Sequence, residues 1–197
     1  MKIGIDIDDT TLITVKSMIK YADKYDTEVL GRKGTNGNLG RIENRYYLKI
    51  LYGWAVEEKF AFFDCYYKNV LEECTVMPNA DKVLQKLKEE GNELYFITAR
   101  LTNIKNCPTE EITRKTLEDN QILYDKLIID ASDKMKVCEE EGIELLIEDS
   151  YETCKEFQEK GKKAILMTTQ MNRKIDAGNI PRVENWDEIY QKVKEIE

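Results

Sequence analysis

Across residues 78–197, short apolar runs alternate with stretches in which apolar residues recur every three or four positions. The runs predict strands at Lys2–Asp6, Glu93–Thr98, Lys126–Asp130, Glu144–Glu148 and Lys163–Met167. The longer stretches predict helices over Ala80–Glu90, Thr109–Gln121, Lys134–Glu141, Glu152–Lys160 and Trp186–Ile196. Gly91, Gly142 and Gly161 each follow a helical stretch directly, and glycine most readily takes the left-handed turn that ends a helix. Strands of about five residues that are apolar on both faces suit a parallel sheet covered by helices. The pattern therefore predicts an α/β fold: a doubly wound parallel-sheet (Rossmann-like) core with right-handed crossovers.

Residues 13–77 break the alternation. Helical periodicity covers Thr14–Tyr25, where Val15, Met18, Ile19, Ala22 and Tyr25 share a face, then Ile42–Tyr52 and Val56–Glu73. Between the first two lies Gly31–Gly40, with four glycines in ten positions, which reads as a loop or hinge. The expected organisation is a core formed by residues 1–12 and 78–197, with a small helical cap, residues 13–77, inserted after the first strand. The insertion carries Tyr46, Tyr47, Trp54, Phe60, Phe62, Phe63, Tyr66 and Tyr67. Most of these are expected to form its own core, and a platform for stacking a nucleobase is the competing reading.

Composition narrows the chemistry. The 197 residues are 42% hydrophobic and 35% charged, ordinary for a globular chain. A net charge of -8 argues against an extended nucleic acid as partner. No apolar run is long enough for a membrane span, and the opening MKIGIDIDDT does not build a signal peptide, so a cytoplasmic setting is expected. There is no histidine, which excludes a Ser-His-Asp triad and histidine-ligated zinc. The five cysteines contain no CxxC pair and read as reduced structural thiols.

Ligands of open parallel sheets sit beyond the carboxyl ends of the strands. There the first strand delivers Asp6-Ile7-Asp8-Asp9-Thr10 and the second Thr98-Ala99-Arg100. The third is followed by Ser132-Asp133-Lys134, and the fourth ends in Glu148-Asp149-Ser150. Carboxylates, a hydroxyl and a lysine meeting at one edge would transfer a phosphoryl group to a carboxylate with the help of Mg²⁺. Asp6 would be the nucleophile. Asp8 would be the general acid and base, with a pKa raised by its acidic neighbours and partial burial. The Asp6 carboxylate, the Asp8 backbone carbonyl and Asp149 would hold the ion, with Glu148 as a further candidate. Thr98 would hold phosphoryl oxygens, and Lys134, with Lys136 as its competitor, would offset charge on nucleophile and phosphate. Arg100 would contact substrate phosphate or pair with a carboxylate, and Asp9 reads as a loop residue.

These four segments resemble the motifs of the haloacid dehalogenase superfamily of phosphohydrolases. Asp6, Asp8 and Thr10 match DxDxT, Thr98 the strand-two hydroxyl, Lys134 the helix-opening lysine, and Glu148-Asp149 the paired acids. The likeness spans the chain, and the insertion lies where that superfamily places a helical cap. The string IDIDDT…FITAR…SDK…LLIEDS is similar to the cytosolic 5'(3')-deoxyribonucleotidase branch and related nucleotidases. The resemblance implies an Mg²⁺-dependent phosphatase of small phosphomonoesters, working through an aspartyl-phosphate, with Thr10 and Arg100 as candidate substrate contacts and nucleoside monophosphates as substrates. Asp9 stands where that branch usually has glycine, and Glu148 where Asp-Asp is common. Glu-Asp pairs also occur in the superfamily's sugar-phosphate phosphatases and phosphoglucomutases. A sugar-phosphate phosphatase or a phosphomutase is therefore the alternative, with a non-catalytic binding protein behind both.

Overall fold

A computed structural model describes residues 1–36, 40 and 46–196. Its main sheet has six strands, all parallel, in the order β5-β4-β1-β6-β7-β8. They are β1 Lys2–Ile5, β4 Glu93–Ile97, β5 Lys126–Ile128, β6 Leu145–Glu148, β7 Lys163–Met167 and β8 Arg182–Val183. The first strand of the chain thus lies centrally, between β4 and β6, and strand order reverses beside it. That is where a crevice opens at the carboxyl edge of such a sheet.

Side chains along these strands alternate between two apolar layers, as a pleated strand requires. Ile3, Ile5, Leu94, Phe96, Leu145, Ile147, Ile165 and Met167 face one way. They pack on α4 (Ala80–Glu89), α5 (Thr109–Asp119) and α8 (Trp186–Ile196). Tyr95, Ile97, Leu146, Ala164 and Leu166 face the other way, onto α6 (Lys134–Glu141) and α7 (Tyr151–Glu159). Gly4 sits in this second layer, where an added Cβ would lie 3.0 Å from Ile143 Cγ2 and 3.2 Å from Leu146 Cδ1. The sheet can approach its cover there because the residue has no side chain.

The remaining helices are α1 (Val15–Lys24), which runs on into a π-helical turn at Tyr25–Val29, α2 (Tyr47–Tyr52) and α3 (Val56–Glu72). They share their own apolar cluster, including Ile19, Tyr25, Tyr52, Trp54, Phe62 and Leu71, which also receives Ile104 and Ile112 from the β4–α5 side. Asp26, buried beside the π-turn, accepts from Trp54 Nε1 at 2.8 Å and from the Gly34 amide at 3.1 Å. That pair of bonds ties the following loop back onto the helices. The chain leaves the sheet through β2 (Leu12–Ile13) and returns through β3 (Thr75–Val76), an antiparallel pair.

The five expected strands and the helices of the sheet layers are present, with ends shifted by up to two residues. The expected Ile42–Tyr52 helix is seen over Tyr47–Tyr52, and residues 42–45 lie outside the described residues. Sequence periodicity missed β2, β3 and β8, each two residues long and so too short to show a period. Among the described residues no helix is long and apolar enough to cross a membrane.

Candidate active site

Asp6 is the residue after β1. Its amide donates to the Ile147 carbonyl at 2.9 Å, and its carbonyl accepts from the Thr11 hydroxyl at 2.8 Å. The nucleophile candidate is therefore fixed through its backbone, and its side chain is free to face the crevice. Asp9 adopts φ 57°, a left-handed conformation that glycine takes without cost. Its carboxylate accepts from the Thr14 and Val15 amides, both at 2.9 Å. Asp9 therefore caps α1 across the loop, which gives a physical reason for aspartate where a glycine is usual.

Lys134 opens α6, where Asp133 caps the helix by accepting from the Lys136 amide at 2.9 Å. Its ammonium bridges Asp6 and Glu148, reaching Glu148 Oε2 at 2.6 Å. Lys136 is instead a solvent-facing side chain near Glu140, which decides between the two lysines. Glu148 is 2% exposed, and its second oxygen accepts from the Asp149 and Ser150 amides at 3.2 and 3.1 Å. Asp6, Glu148 and Asp149 bring one carboxylate oxygen each within 4.8 Å of one another.

Such crowding has a cost in charge. Burial and then the charge of Glu148 push the Asp6 carboxyl up to about 8, although Lys134 pulls the other way. Burial, followed by Glu148 and Asp6, raises Asp149 well above the ordinary carboxylate range. Burial works against the Lys134 ammonium, but Asp6 and Glu148 outweigh it and raise its pKa. One lysine thus leaves three clustered carboxylates short of positive charge. An all-oxygen donor set of this kind fits a hard divalent cation.

Asp8 behaves otherwise. Crowding was expected to raise its pKa, and that expectation is corrected. Burial does push it up, but the Arg100 guanidinium and the Thr14 hydroxyl prevail and hold it below its ordinary value. Arg100 Nε lies 3.1 and 3.0 Å from the two Asp8 oxygens, and Nη2 lies 2.8 Å from Oδ1. Nη1 donates to the Thr113 hydroxyl at 2.9 Å. The Arg100 side chain is wholly buried, so of its two expected roles it takes the carboxylate pairing.

Asp6, Asp8, Thr98, Arg100, Lys134, Glu148 and Asp149 line one cavity of about 970 Å³. Thr10 does not reach it. Its hydroxyl is buried without a hydrogen-bond partner among the described residues, and its carbonyl accepts from Trp186 Nε1 at 2.9 Å. Tyr46, Tyr47 and Tyr67 line the cavity from the helical side, whereas Trp54, Phe62 and Phe63 are buried in the helical cluster. Sequence reasoning missed Asn172, which is 3% exposed. Its amide nitrogen donates to the Asp149 carbonyl at 2.7 Å and the Met167 carbonyl at 2.8 Å. Its oxygen accepts from Arg182 Nη1 at 2.8 Å. This clip holds the Asp149 loop, and an asparagine in an aperiodic stretch carries no pattern that would have revealed it.

The parallel sheet, the inserted helices and a carboxylate–lysine cluster at the strand ends define a phosphohydrolase of the haloacid dehalogenase type. Solved structures share this fold. One from Clostridium acetobutylicum, described as a predicted phosphatase, superposes with a TM-score of 0.73 at 16% identity over 98% of each chain. A haloacid dehalogenase-like hydrolase from Streptococcus pneumoniae gives a TM-score of 0.67 at 14% identity, over 98% of this chain and 97% of that one. The family model for the 5' nucleotidase, deoxy (pyrimidine), cytosolic type C protein matches residues 1–196, and the chain belongs to that family. A nucleotidase from Clostridium acetobutylicum is 30% identical over 147 residues, covering 74% of this chain and 73% of the relative.

Proposed function

We propose that this phosphatase is an Mg²⁺-dependent 5'-nucleotidase that hydrolyses nucleoside monophosphates through a phosphorylated Asp6. The observation that carries the reading is the Lys134 bridge between Asp6 and Glu148, two carboxylates that each bring an oxygen within 4.8 Å of one from Asp149. Asp6, Asp149 and the Asp8 carbonyl would hold the metal, with Glu148 as the lysine's anchor beside them. When bound, the ion supplies the positive charge that lets a carboxylate approach an anionic phosphate.

The chain's own groups would do the rest. An Asp6 oxygen attacks phosphorus in line while the bond to the leaving oxygen breaks, and that oxygen takes a proton from Asp8. Thr98 and Lys134 hold phosphoryl oxygens as charge shifts onto them. Water then attacks the phosphoaspartate, gives its proton to Asp8 and frees Asp6. Residues 13–77 would act as a cap over a core of residues 1–12 and 78–197, a division supported by the apolar cluster that the helices build mostly from their own side chains. Tyr46, Tyr47 and Tyr67, facing the carboxylates across the cavity, support a flat, uncharged group next to the phosphate.

Charge supports a monophosphate in particular. Among the described residues, Asp6, Asp8, Asp9, Asp133, Glu148, Asp149, Glu152 and Glu156 line the cavity against Arg100 and Lys134, and both cations are already paired. Each further negative charge on a substrate meets repulsion that a single ion does not offset. The family's description as cytosolic supports a cytoplasmic setting.

The test is inorganic phosphate release from a panel of ribo- and deoxyribonucleoside monophosphates, nucleoside triphosphates, phosphoglycolate and sugar phosphates, with and without Mg²⁺. The expected result is Mg²⁺-dependent release that is greatest for nucleoside monophosphates and selective among bases. Preference for a sugar phosphate would overturn the substrate, and no release from any compound would overturn the activity. The Asn172 clip gives a second prediction. Asn172→Ala should weaken Mg²⁺ binding about 10–100-fold, as loss of a ligand's outer partner does. Calorimetric titration of the metal alone would measure it, and an unchanged dissociation constant would refute the clip's role.

A further inference from the structure

We propose that Arg100 is a positioning residue for proton transfer, acting on the leaving group through Asp8 and not through substrate phosphate. The inference rests on the phosphatase reading above. Every guanidinium nitrogen already has a partner inside the protein: Nε and Nη2 are turned to Asp8 and Nη1 to Thr113. Its side chain is 0% exposed, whereas that of Asp8 is 33% exposed. Arg100 therefore supports Asp8 from behind while Asp8 faces the cavity.

The two Asp8 oxygens are not equivalent. Oδ1 accepts from Thr14 Oγ1 at 2.6 Å as well as from Nε and Nη2. Oδ2 has only Nε at 3.0 Å and a long contact from Thr98 Oγ1 at 3.4 Å. Oδ1 is saturated and Oδ2 is the oxygen left to exchange a proton, beside the Thr98 hydroxyl. Arg100 holds resting Asp8 as the anion, so the proton it passes on enters with the substrate, from a phosphate oxygen of the monoanion to Oδ2. In the first step the Asp6–phosphorus bond forms as the bond to the leaving oxygen breaks, and the Oδ2 proton moves to that oxygen. In the second step water adds to phosphorus, its proton goes to Oδ2 and the Asp6–phosphorus bond breaks. Oδ2 then gives that proton to the departing phosphate, and Asp8 ends the cycle as the anion it began. Thr113 fixes the guanidinium in turn, and its own hydroxyl donates to the Thr109 carbonyl at 2.7 Å, so α5 braces the proton donor.

The consequence is a dependence on leaving group that a merely structural residue would not show. A nitrophenolate departs without a proton, whereas the alcohol oxygen of a nucleoside needs one. Arg100→Gln should lower kcat/KM for the best nucleoside monophosphate about 10²–10³-fold, the range of a lost acid catalyst. For para-nitrophenyl phosphate the loss should stay below about tenfold, with a burst of nitrophenolate as the phosphoenzyme waits for its base. Arg100→Lys should recover part of the nucleotide activity, and Thr113→Val, which keeps the Asp8 pair, should show the same selectivity in weaker form. Should Arg100→Gln fail to fold, the Thr113→Val comparison carries the test alone. Equal losses on both substrates, or none on either, would overturn the proposal while leaving the phosphatase reading standing. A wild-type protein inactive on both substrates would instead overturn the phosphatase reading and this one with it.

Discussion

Asp6→Asn should abolish phosphate release from every substrate, a fall on the order of 10⁴–10⁶-fold in kcat, as removal of a covalent nucleophile typically gives. Asparagine matches aspartate in size and can accept from Lys134, so the site should keep its shape. Stability should move the other way or not at all. Burial and Glu148 already disfavour the Asp6 anion in the metal-free protein, with the attraction of Lys134 included in that balance. A neutral side chain there relieves repulsion. The measurement is phosphate release together with thermal melting and labelling by radioactive substrate. Loss of label with an undiminished Tm is expected, and turnover within tenfold of wild type would remove Asp6 from the mechanism.

The second large effect is expected at Lys134. Its ammonium is the only cation in contact with Asp6 and Glu148 among the described residues, and its side chain is 14% exposed. Lys134→Met keeps the length and packing of the stem but leaves two buried carboxylates unpaired. Breaking a buried pair costs about 3–5 kcal/mol, or roughly 6–20 °C in Tm for a domain of this size. That loss should appear in full when metal is chelated and shrink when Mg²⁺ is saturating, because the ion takes over part of the neutralisation. Turnover should fall on the order of 10²–10³-fold even with metal, through loss of charge beside the transferring phosphoryl group. Equal melting losses with and without metal would show that Lys134 and the ion do not share those carboxylates.

Much of this site could be read in the sequence, for a simple reason. Asp6, Thr98, Lys134 and Asp149 each follow an apolar run or open a helix, so a periodicity that locates the element also locates its end. The sheet then converges those ends on one edge. The same logic found the five longer strands and the helices that cover them. It failed where the information lies in contacts between distant residues. Arg100 and Asp8 are ninety-two positions apart, so the sequence could not say which partner Arg100 would choose. The pKa of Asp8 was therefore expected to move in the wrong direction. Thr10 matched a motif, yet its hydroxyl is buried away from the cavity and its carbonyl is the group that braces the loop. Asn172 was invisible, because its role consists of hydrogen bonds to two carbonyls. Of the aromatic residues of the insertion, the pattern foresaw that most would form a core. Which three would face the cavity depends on how the helices sit on the sheet.

The bond from Trp186 to the Thr10 carbonyl bears on the order in which the molecule can be assembled. It joins the loop after β1 to a helix 176 residues further along the chain, and β1 itself pairs with β4 and β6. A chain emerging from the ribosome at about 5–20 residues per second presents Asp6 first, many seconds before any of those partners exists. The nucleophile's strand must wait unpaired for β4 and then β6, and the Trp186 brace on its loop comes only when α8 docks. Catalytic competence therefore requires partners from late in the chain, and no growing intermediate that lacks them carries a finished site.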